Sequence, residues 1–107
     1  MKRPKTIRVG AFDYRVELEP TLAEKAGVLG LCVTDNITIY LDGNMPDPVE
    51  AETLLHEALH AMWTQTTLDK MYTDEQEEAI IHTLSPAIFL FLQENRDYLR
   101  WAMDGSR

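Results

Sequence analysis

Residues 54–62 read Leu54-Leu55-His56-Glu57-Ala58-Leu59-His60-Ala61-Met62, two histidines four positions apart in an apolar run, with a glutamate directly after the first. On an α-helix, positions four apart lie one turn above each other on one face. Both imidazoles can therefore reach a single tetrahedral ion at metal–nitrogen distances of about 2.0–2.1 Å. Glu57 then stands beside the ion without ligating it, placed to take a proton from water that the ion acidifies and to return it to a leaving amine. The chain holds only three histidines, and roughly 0.008 random matches to the H-E-x-x-H pattern are expected at this composition. The pattern predicts one Zn2+ per chain, with His56 and His60 as ligands and Glu57 as general base.

At about 100° per residue, Leu54, Leu55, Ala58, Leu59, Ala61, Met62 and Trp63 occupy most of the helix circumference, and Thr53, His56, Glu57, His60 and Thr64 share the remaining sector. Such a helix is expected to be buried on nearly all sides, its polar strip facing an internal cleft. A catalytic zinc keeps three protein ligands and one open position, so one ligand must come from elsewhere. The following helix offers Glu77, Glu78 and His82. Glu77 stands three residues after Asp74, the spacing of a capping-box partner. Glu78 has no such duty and is the economical third ligand, with Glu77 as the alternative. His82, one turn beyond Glu78, is placed to hydrogen-bond a ligand or the reacting oxygen.

The elements that must position these residues follow from periodicity. Ile7 to Val9 and Tyr14 to Leu18 alternate apolar with polar, the mark of half-buried strands, around a turn or bulge at residues 10–13. Residues 21–26 predict a short helical turn ended by Gly27. Residues 30–34 and 37–41 predict a β-hairpin around Asp35-Asn36. A loop dense in turn residues, 42–48, delivers the chain into the motif helix over residues 49–65. A second helix starts at Thr73 or Asp74 with Glu75, Glu77 and Glu78 in its first turns. Its apolar face is Ile81, Leu84, Ile88 and Phe91, Pro86 should kink it, and a break near residues 94–97 precedes a last short helix.

L-L-H-E-A-L-H-A-M-W followed by a helix opening E-E-A-I-I-H resembles the gluzincin group of zincin metallopeptidases, most closely its compact, phage-associated and ImmA/IrrE-type members. The resemblance implies an α+β, zincin-like domain: a three- or four-stranded twisted sheet packed on the motif helix, with the glutamate helix closing the other side. It implies zinc-dependent peptide-bond hydrolysis with His56, His60 and Glu78 as ligands. Several relatives carry an acidic residue where this chain has His82. Larger members add a C-terminal subdomain with an oxyanion-stabilising tyrosine or histidine, for which this chain has almost no room, leaving Tyr72 or His82 as substitutes.

The substrate is then a peptide or protein in extended conformation, adding a strand to the exposed hairpin edge formed by Ile37, Thr38, Ile39, Tyr40 and Leu41. The alternative function is a zinc-stabilised module that holds a peptide or protein without cleaving it. A formal charge of −8 excludes a phosphate-tracking nucleic-acid surface, whose affinity comes from Lys and Arg. No apolar run is long enough for a bilayer, and the basic start lacks the apolar stretch of a signal peptide, so a single cytoplasmic domain is expected. The lone Cys32 reads as a small apolar strand residue.

Overall fold

The N-terminal alternation folds into a hairpin in which β1 (Thr6–Val9) and β2 (Phe12–Glu19) pair antiparallel. Gly10 in the turn has φ of 56°, a left-handed conformation that side chains with a Cβ resist. Tyr14 and Val16 turn into the core while Arg15 and Glu17 face out, as the two-residue period of a strand requires. A short helix α1 (Leu22–Ala26) follows, then β3 (Gly30–Val33) and β4 (Thr38–Asp42). In the computed structural model, which describes residues 2–104, the strand order is β1-β2-β4-β3.

β4 pairs in parallel with β2 and antiparallel with β3. A parallel pair needs a long crossover, and the chain from Glu19 to Thr38, carrying α1 and β3, supplies it. This topology corrects the expected substrate edge. Thr38, Ile39, Tyr40 and Leu41 belong to an interior strand with neighbours on both sides, and Ile37 lies in the preceding turn with φ of 52°. The reason is burial: Thr38, Ile39 and Leu41 are fully enclosed, and a strand apolar on consecutive residues belongs inside a sheet. The free edge on this side is β3. The hairpin turn spans four residues, 34–37, rather than two.

One face of the sheet is covered by α2 (Asp47–Trp63), which contacts β1, β3 and β4. The core joins Val9, Tyr14, Val16, Ile39 and Leu41 to Ala61, and the small Ala58 and Ala61 let helix and sheet come close. The helix is less enclosed than its apolar circumference implies, since Ala51 and Met62 face solvent. A short α3 (Leu68–Met71), which the periodicity does not foretell, leads to α4 (Asp74–Glu94) and α5 (Arg96–Met103). α4 packs on α2, with Ile81 and Ser85 buried, and continues unbroken through Pro86. Leu84 and Phe91, expected on its buried face, are half exposed.

Of the two residues expected at the cap of α4, Thr73 is the N-cap, and the box partner differs from expectation: Thr73 Oγ1 accepts from the Gln76 backbone N at 3.2 Å, while Gln76 Oε1 accepts from the Thr73 backbone N at 2.9 Å. Asp74 is already helical, so the capping-box partner is Gln76 and Glu77 is released for other work. Among the described residues no helix is long and apolar enough to cross a membrane.

Asp42, buried at the end of β4, accepts from the backbone N of Ala23 (3.0 Å) and of Asn44 (3.3 Å). It thus caps α1, whose own Thr21 makes no side-chain cap bond, and pins the loop leading into α2. Asp42→Ala is expected to cost about 1–3 kcal/mol in urea denaturation, the range for stranding a buried donor, and Asp42→Asn to recover roughly half of it.

Candidate functional site

His56 and His60 stand one turn apart on α2, ring centroids 5.0 Å apart, and α4 brings a carboxylate to both. Glu78 Oε1 lies 3.1 Å from His56 Nε2, and Glu78 Oε2 lies 2.7 Å from His60 Nε2. One donor atom from each of the three residues falls within 4.8 Å of the others. A tetrahedral ion with ligands at 2.0–2.2 Å sets its donors about 3.3–3.6 Å apart, so small side-chain adjustments would seat a cation.

The opposite ring nitrogens are held as well. His60 Nδ1 is 2.6 Å from Glu77 Oε2, and His56 Nδ1 is 3.3 Å from Ser85 Oγ. A histidine that donates from Nδ1 keeps its lone pair on Nε2, the tautomer a metal requires, and partners of this kind orient metal-ligating histidines. Glu77 therefore meets a histidine instead of the helix cap, which corrects its expected role. Its side chain is 12% exposed against 56% for Glu78, so one supports the histidine from within and the other stands at the mouth.

Glu57 is buried between α2 and β3, with Oε2 4.0 Å from His56 Nε2 and the backbone N–H of Cys32 donating to its carboxylate. The approach of strand to helix is close enough to require Gly30. A Cβ there would come within 2.7 Å of Thr53 Cγ2 and 3.0 Å of Glu57 Cγ and Oε2. Burial pushes the Glu57 carboxyl up to about 7, with Glu78 adding to the rise and His60 and the Cys32 N–H opposing it. A carboxyl that titrates near neutrality is suited to taking and returning a proton. Burial also lowers His56, against the upward pull of Glu78. The Cys32 thiol is pushed up to about 11 by burial, so it stays un-ionised.

These groups line a cleft of about 970 Å3, ample for several residues of an extended chain. Val28, Leu31 and Val49 form an apolar wall, and Glu52, Asp69 and Asp74 an acidic one. His82 lines the cleft with its ring 6.5 Å from that of His56. Tyr72 is not among the lining residues, a correction to its expected place: its ring packs on Trp63 at 5.8 Å, as aromatic pairs prefer. Three contributors went unread in the sequence: Ser85, Gly30 and the Cys32 backbone. Ser85 had a signal, since it lies seven residues after Glu78 and so on the same helix face. Gly30 and the Cys32 N–H matter only through strand pairing.

Between the ordinary Glu57 value of 4.5 and its folded value of about 7, the folded chain holds more protons than the unfolded one. Glu57 therefore favours folding fully below pH 4.5 and progressively less as pH rises through 7. In chelator-treated protein the loss is expected to be on the order of 2–3 kcal/mol, and to vanish in Glu57→Gln. Denaturant titrations of both proteins across that range measure it, and parallel pH profiles would contradict a buried carboxyl.

No family model, curated protein or solved structure matches this chain.

Proposed function

We propose that this protein is a zinc-dependent peptidase in which His56, His60 and Glu78 hold one Zn2+ and Glu57 is the general base. The observation that carries this reading is the convergence of both Nε2 atoms on the Glu78 carboxylate, with Glu57 buried alongside in an open cleft. A structural zinc is closed by four protein ligands, whereas a catalytic one keeps a position open, and the compatible group here numbers three among the described residues. The order of sheet, motif helix and glutamate helix is similar to that of compact gluzincins.

Zinc held there supplies Lewis acidity that polarises a substrate carbonyl and acidifies a water. Glu57, fixed by the Cys32 N–H and by the close approach of Gly30, takes the proton and passes it to the leaving amine. Glu77 and Ser85 keep the two imidazoles in the ligating tautomer. His82 is the cleft group available to donate to the developing oxyanion. Leu29 O accepts from Asp42 N at 2.8 Å and so faces β4. By alternation the peptide groups of Gly30 and Cys32 turn away from β4; the Cys32 N–H is taken by Glu57, so an extended substrate pairs along that edge through the Gly30 groups and the Cys32 carbonyl.

Purified protein is expected to carry about one zinc per chain by metal analysis, and none after joint replacement of His56 and His60 by Ala. Glu77→Gln should weaken zinc by about 10–100-fold, as loss of a histidine-orienting carboxylate does, and Glu78→Ala by more. Full zinc retention in the double histidine variant would remove the metal centre from consideration.

Glu57→Gln is expected to keep zinc and fold while losing hydrolysis of an unstructured protein by on the order of 10²-fold or more. If zinc-loaded wild type cleaves nothing in a broad peptide library, the peptidase reading gives way to a zinc-stabilised module that binds peptide along the same edge.

A further inference from the structure

We infer that this protein pairs with a second copy of itself through the outer face of α4 and α5, away from the α2 contact. Residues 87–92 read Ala-Ile-Phe-Leu-Phe-Leu, apolar around the whole circumference, and a helix of that kind is normally covered all round. α2 covers one side only. Ile81 and Ser85 point to it and are buried, while Leu84, Leu90 and Phe91 are 48 to 53% exposed. Leu84 and Phe91 are seven residues apart and share a helix face. α5 prolongs this surface: Tyr98 stacks on Phe91 with ring centroids 5.8 Å apart and on Trp101 at 6.1 Å, and Tyr98, Trp101 and Met103 are 51 to 78% exposed.

The six side chains together expose on the order of 700 Å2, taking about 200–250 Å2 for each when fully open. The largest apolar patch of an ordinary monomer is about 300–600 Å2, and a stable pair buries about 800 Å2 on each partner. The area is therefore that of one side of an interface. Charge favours a second copy as the occupant. The chain carries −8 overall, which repels anionic membrane surfaces and other copies alike. The chain beside Tyr98, however, carries Glu94 and Asp97 with Arg96 and Arg100, all exposed, and Arg100 pairs with Asp97 at 3.9 Å, so these charges cancel. Two copies can meet here without net local repulsion, each covering the apolar area of the other.

The test is sedimentation equilibrium of zinc-loaded protein over a wide concentration range, with Leu84→Glu and Trp101→Glu beside wild type. Wild type is expected to reach the dimer mass, and each variant to associate at least about tenfold more weakly, as buried interface anchors do on replacement, with unchanged circular dichroism. Hydrogen exchange of wild type alone, compared at low and high protein concentration, gives a readout that needs no variant: the amides of residues 84–103 should gain protection with concentration and those of β3 should not. A wild type that stays monomeric throughout, or a dimer indifferent to both substitutions, overturns the inference. So does concentration-dependent protection confined to β3.

Discussion

An imidazole on a helix turns freely about two side-chain bonds, and two of them one turn apart aim at a common point only when each ring is held from outside. Here the holders, Ser85 for His56 and Glu77 for His60, both come from α4, as does Glu78 between the inner nitrogens. The centre is thus a property of the packing of α4 on α2, fixed by the burial of Ile81 and Ser85 at that contact. Helical geometry leaves little slack. Moving α4 by one residue in register would rotate its side chains by about 100° and carry all three groups, two carboxylates and a hydroxyl, away from the rings.

The sheet contributes something different. It does not reach the histidines through a side chain but closes over Glu57 with backbone, a peptide N–H at Cys32 and an empty Cβ position at Gly30. The carboxyl is shut away from water by a strand that stands at the edge of the sheet. The desolvation that raises the Glu57 carboxyl and the free edge of the sheet therefore come from the same four residues of β3.

How much of this was legible in the sequence depended on distance along the chain. His56, Glu57, His60 and Glu78 are brought together by helical spacing and one short connection, and the structure does gather them. The strands and the approximate helix limits followed from periodicity for the same reason, and the coarse α+β class agrees with what the resemblance implied. The central place of β4 did not, because its parallel pairing with β2 joins residues more than twenty apart across an intervening strand. The cap of α4 was ambiguous at close range: Thr73 with Gln76 and Asp74 with Glu77 are equally good pairs by type, and only the extended backbone of Thr73 decides between them. Tyr72 misled because its neighbour in space, Trp63, lies across a turn that contains the unforeseen α3.

The groups that gather around the two histidines all fall within residues 56–85, one uninterrupted helical hairpin, whereas the burial of Glu57 is imposed by residues 30–32, a separate stretch of chain. The gathering of the three donors and the burial of the carboxyl are therefore inherited on different segments. Divergence in β3 alone, beginning with a side chain at position 30, would displace Glu57 and leave a descendant that still gathers the same three donors. Retention of the three donors in such a descendant would say nothing about the state of Glu57, and one added carbon in a strand with no conspicuous motif would separate the two forms.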